Sequence, residues 1–302
     1  MRRGGWGAAL ALALVATLIS AIHPALLIAV PLALLLIALP PLRSPYRLIG
    51  LVLLASLFAT PPTGPLWYAE RGWALMVGAV FLATVTLRPG GFLPRGIVAV
   101  ATASVAGAAI LIGSGGWERV EWAVARRFRE AASFWTSRLN RAGDPSMAEM
   151  SDTFRRVADL ETMLYPAMLA LASLAALAVA WWGYRRLVER SGETLAPMRE
   201  FRFADHLVWV LIGGTALLIM PLGEVASRAG ANLATFMAGL YLLRGMAIVV
   251  AITGVAGVGA FFLGVVAVLL LPLFAGASLI IGLSDTWLDL RRRATSDDAA
   301  SS

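Results

Sequence analysis

An arginine inside a long apolar run is the costliest residue in this chain and the first candidate for chemistry. Arg244 lies within the apolar stretch Asn232 to Thr253, where a charged side chain costs about 2.5–3.5 kcal/mol on insertion scales and must face protein or a water-filled cavity. Tyr241 precedes it by one helical turn and shares its face. Gly239 and Gly245 leave room nearby for a close helix crossing or an inserted ligand. Two chemistries follow. As a binding element, Arg244 with Tyr241 and with Asn232, at the outer end of the same run, would hold an anionic group of a small solute. As a structural element, it would be half of a buried ion pair whose carboxylate comes from Asp285, Glu224 or Asp205, and sequence spacing does not choose among them.

Little else has the spacing of a reactive centre. There is no Gly-rich phosphate loop, no nucleophile elbow and no metal-spaced cluster of His and carboxylates. Cys is absent, and the two His, His23 and His206, lie far apart, so no metal site, cofactor or enzymatic activity is expected. Asp205–His206 at a helix entrance reads as an N-cap followed by an interfacial His more readily than as a proton relay. His23 before Pro24 reads as a turn.

The elements that must position these residues are hydrophobic. Of 302 residues, 59% are hydrophobic and 14% charged, with a mean hydropathy of +0.79, a balance that excludes an ordinary soluble enzyme, a disordered chain and a nucleic-acid binder. The partner implied is the lipid bilayer. All the basic residues are Arg, and their +7 net charge acts first as a topology signal.

A span needs about 20 apolar residues. Candidate segments are Trp6 to Ile22, Ala25 to Leu39, Tyr46 to Thr60, Trp73 to Leu87, Ile97 to Ile112, Met163 to Trp182, His206 to Leu222, Asn232 to Thr253 and Ala260 to Leu283, the last interrupted by Pro272. The expected fold is therefore an all-α polytopic membrane bundle of about eight to ten hydrophobic segments. The first segment is expected to be an uncleaved helix, because hydrophobicity resumes directly after Pro24. With a cytoplasmic N-terminus, Arg43, Arg47, Arg88, Arg95, Arg185, Arg186, Arg190, Arg199 and Arg202 all fall inside, while short outer loops keep Arg71 and Arg228. That pattern sets the expected orientation, with the N-terminus in the cytoplasm.

Between Gly113 and Thr162 the chain turns polar, with eight Arg against eight Asp and Glu. Trp117, Val120, Val124, Phe128, Ala131, Trp135 and Leu139 recur at intervals of three and four, which predicts an amphipathic helix outside the membrane. Asp144–Pro145 signals the start of a second helix carrying Met147, Met150, Phe154 and Val157. The pair would either cover the membrane domain as a lid or partner-binding arm, or rest in the interface on its apolar face. The chain then divides into N-terminal membrane hairpins (1–112), this amphipathic insertion (113–162), a C-terminal membrane region (163–293) and a small polar tail (294–302), expected to be disordered.

The C-terminal region also carries a resemblance. Leu164–Tyr165–Pro166–Ala167, Phe201–Arg202–Phe203–Ala204–Asp205–His206–Leu207–Val208–Trp209, Tyr241–Leu242–Leu243–Arg244–Gly245 and Gly282–Leu283–Ser284–Asp285–Thr286–Trp287 together resemble the YybS-like family of bacterial multi-pass membrane proteins of unknown function. The chain departs from that family's pattern at Arg244, where an amide, usually Gln, precedes the Gly, so shared ligand chemistry does not carry over there. The family is distantly similar to the substrate-binding membrane subunits of energy-coupling-factor transporters, which hold vitamins or metals between helices. The resemblance thus implies a transport-type subunit that binds a small solute and relies on other subunits for energy, since no nucleotide-binding motif is present. The alternative is a non-transporting scaffold or regulatory protein acting on membrane or cytoplasmic partners through the amphipathic loop and the arginine clusters.

Overall fold

The computed structural model describes residues 24–40, 44–59, 61–62, 64–87, 90–140, 146–189, 201–253 and 271–288. The expected span Trp6 to Ile22, the Asp144–Pro145 helix start, the first part of the Ala260 to Leu283 segment and the tail from Ala294 lie outside these residues.

Among the described residues the architecture is entirely helical: α1 (Pro24–Ala38), α2 (Ser44–Ala59), α3 (Trp67–Leu87), α4 (Phe92–Gly113), α5 (Trp117–Asn140), α6 (Ser146–Tyr184), α7 (Val208–Ile219), α8 (Glu224–Thr253) and α9 (Leu271–Leu288). A π-helical turn, Arg185–Glu189, extends α6, and a 3-10 turn, Asp205–Leu207, leads into α7. Among the described residues, four helices are long and apolar enough to cross a membrane: α3, α4, the part of α6 and its extension from Arg155 to Val188, and α8. Shorter apolar helices sit beside them at Ala25–Ala38, Pro45–Ala59, Asp205–Ile219 and Leu273–Leu288. Their outward faces stay apolar, with Leu51, Leu87, Val105, Ile112, Trp209, Ile219 and Ile280 all exposed. Such a surface is satisfied by lipid rather than water. The fold is an all-α polytopic membrane bundle.

Several helices begin earlier than hydropathy alone suggests. α3 starts at Trp67 and takes in Glu70 and Arg71, α8 starts at Glu224, and α6 continues without a break from the insertion into the core. Backbone hydrogen bonding continues past the point where apolar composition stops, so hydropathy marks the buried part of a helix and not its end. Among the described residues, Pro272 is the second residue of α9.

One core joins α1, α3, α4, α6 and α8 through Leu35, Val77, Phe81, Val100, Leu174, Leu177, Met237 and Leu240. α7 and α8 run antiparallel with Gly214 and Gly230 facing each other's backbone, and α8 and α9 cross antiparallel at Gly245 and Gly282. At the latter crossing a Cβ on Gly245 would overlap the Ser278 carbonyl and one on Gly282 the Tyr241 carbonyl. In a bilayer, where apolar side chains gain little by leaving lipid, such small-residue contacts are a main source of helix association. α6 and α8 run parallel, with Asn232 beside Met163 and Ala167 and Gly239 facing Leu171.

Candidate functional site

The tight α8–α9 crossing places Arg244 next to the last turn of α9. The guanidinium is 0% exposed and donates from Nε to Asp285 Oδ2 at 3.0 Å and from Nη1 to Asp205 Oδ1 at 2.7 Å. Nη2 lies 2.9 Å from the same Asp285 oxygen, close enough for ion pairing though off the hydrogen-bond direction. One arginine therefore ties together α8, α9 and the entrance to α7.

The two carboxylates differ in environment. Asp285 is 2% exposed, whereas the Asp205 side chain is 45% exposed and also lies 3.6 Å from the exposed Arg202. Asp205 was expected as an N-cap; its carboxylate goes to the buried guanidinium instead, since a desolvated cation competes more strongly than a backbone N–H. The pairing puts Arg244 level with the entrance of α7.

The extended residues Phe201–Ala204 cover the cluster. The Arg244 guanidinium carbon sits 5.3 Å from the Phe203 ring centroid, and Tyr241 packs edge-on against the same ring at 5.0 Å. Beneath Phe203, the Tyr241 hydroxyl is buried, as is the hydroxyl of Thr286 beside Asp285; neither has a hydrogen-bond partner among the described residues. Buried hydroxyls are normally paired with protein, water or ligand.

Of the residues proposed from sequence, the structure thus brings together Arg244, Tyr241, Asp205 and Asp285. Asn232 stands twelve residues before Arg244 on α8, about 18 Å along the axis. It bridges the α6 backbone, donating from Nδ2 to the Met163 carbonyl and accepting at Oδ1 from Ala167 N–H, both at 2.9 Å. Glu224, at the start of α8, is about 30 Å along the axis from Arg244.

The amphipathic helix supplies a second polar assembly, absent from the sequence reading. α5 packs its apolar ridge of Val120, Val124, Phe128 and Ala132 against Leu66, Ala158 and Tyr165. The ridge follows i, i+4 spacing, so Ala132 takes the place expected for Ala131, which is exposed. This face rests on protein, not on lipid. Ion pairs flank the ridge: Arg127 reaches the buried Glu70 of α3 at 2.8 Å, and Glu121 reaches Arg228 of α8 at 2.5 Å. The available signal was a carboxylate at the edge of an apolar segment, Glu70, that needs a cation.

The model of a family described as "Predicted membrane protein (DUF2232)" matches residues 94–286. The chain belongs to that family. The DUF2232 region contains the whole Arg244–Asp205–Asp285 cluster, Asn232 and both α5 partners Glu121 and Arg127, while Glu70 lies before it. No curated protein and no solved structure matches the chain.

Proposed function

We propose that this DUF2232 membrane protein is a non-enzymatic, small-solute-binding subunit of a transport-type assembly in the bacterial inner membrane, with its N-terminus inside and its energy supplied by partner subunits. The observation that carries this reading is the pair of buried hydroxyls, Tyr241 and Thr286, that have no hydrogen-bond partner among the described residues, beside a charged cluster whose Asp205 edge is exposed. It is supported further by the resemblance to the YybS-like family and, through it, to energy-coupling-factor substrate-binding subunits. The charge arrangement alters the expected solute: Arg244 is already met by two carboxylates, so a neutral polar or cationic group suits the cluster better than an anion.

The test is mass spectrometry of small molecules that co-purify with the wild-type protein and with Tyr241→Phe and Thr286→Val. A solute retained by the wild type and depleted in both variants is expected. No solute on the wild type, or the same solute at the same level on both variants, ends this reading. A scaffold or regulatory role is favoured by one observation, that Arg244 is fully engaged in joining three elements; under it the wild type elutes without any solute.

A further inference from the structure

Pro166 sits inside α6 and has no N–H to give the Thr162 carbonyl. At the next rung the Asn232 side chain pairs with both backbone groups, accepting from the Ala167 N–H and donating to the Met163 carbonyl. The same Nδ2 also donates to the Arg228 carbonyl at 2.9 Å, one turn back on α8. Arg228 in turn holds Glu121 of α5. The missing Pro166 rung of the continuous α6 therefore lies where the part of the helix that carries α5 meets the part built into the core, and the side chain that pairs beside it comes from the helix to which α5 is latched.

We propose that α5 and the N-terminal part of α6 form a hinged cover that pivots at Pro166 and is latched closed by the Glu121–Arg228 and Arg127–Glu70 pairs. An intact helix bends only by losing backbone hydrogen bonds, whereas a rung already carried by a side-chain amide can open without stranding either backbone group. Both latches are ion pairs at an end of the bundle, each with one partner at least partly exposed to solvent. The Val124–Phe128 ridge aligns the cover, and the two pairs hold it from opposite sides.

The chain has no native cysteine, so spin labels can be placed without background. One pair is put at Ser133 on α5 and Tyr68 on α3, both exposed, and a control pair at Val105 on α4 and Ile219 on α7. Distances are read by pulsed electron resonance in lipid nanodiscs. The wild type should give one narrow distribution for Ser133–Tyr68. The latch variant Glu121→Gln with Glu70→Gln should add a second, longer population, and Pro166→Ala in that background, which restores the rung to Thr162, should reduce it at least several-fold. The control distance should not move in any variant. A latch variant indistinguishable from wild type, a long population untouched by Pro166→Ala, or a change in the control pair overturns the hinge.

Discussion

Arg244→Gln is the most informative single substitution, because the two carboxylates it abandons differ in burial. Asp285 is 2% exposed and meets both Nε and Nη2 of the arginine, so removing the cation leaves a desolvated carboxylate, at a cost of about 3–5 kcal/mol. Asp205 is 45% exposed and turns to water and Arg202; its share falls in the range of about 0–1 kcal/mol for solvent-exposed pairs. Arg244→Gln and Asp285→Asn should therefore each destabilise strongly, and Asp205→Asn by about 1 kcal/mol or less. The double variant Arg244→Gln/Asp285→Asn should lose far less than the sum of its parts, with a coupling near the upper end of the roughly 0.5–3 kcal/mol measured between contacting residues. Unfolding in detergent, followed by circular dichroism and Trp fluorescence, measures all four. Additive losses for the Arg244–Asp285 pair, or Asp205→Asn costing as much as Asp285→Asn, would refute the reasoning from burial.

Other consequences follow from the same packing. Gly245→Ala should prevent the α8–α9 crossing, because the new methyl meets the Ser278 backbone, and yield of folded monomer on size exclusion should collapse where Gly276→Ala, which meets nothing, is tolerated. Asn232→Leu strands the Met163 carbonyl and the Ala167 N–H, about 1–3 kcal/mol for each, so a drop in thermal stability should appear together with faster amide exchange around Pro166. Glu224→Gln, far from the cluster, should show no coupling to Arg244→Gln in the same unfolding measurement. A cysteine introduced at the exposed Ser137 should react with an impermeant maleimide in intact cells, and reaction only after permeabilisation would reverse the orientation inferred from the arginine loops.

What the sequence determined by itself was the class of the molecule and the suspicion attached to one residue. Apolar content and the segment lengths are local properties that set the preference for a bilayer, and a helix satisfies its backbone there whatever its neighbours are. The amphipathic period was legible for the same reason over Val120 to Ala132, to within the single step that exchanges Ala131 for Ala132. The cost of Arg244 was equally visible, because desolvation depends on the residue type and its apolar surroundings.

Tertiary structure decided the partners. Asp205 and Asp285 lie 39 and 41 residues from Arg244 in opposite directions, and Glu224 is nearer in sequence than either, yet rigid helix geometry sends it to the far end of α8. Asn232 read as a member of the solute-binding set because its actual use depends on a proline 66 positions away, inside another helix. Side chains meet where helices cross, and the crossing of α8 with α9 is set by which backbones approach closely enough at Gly245 and Gly282. Hydropathy carries no record of that, because a glycine open to lipid and a glycine pressed against a carbonyl have the same composition.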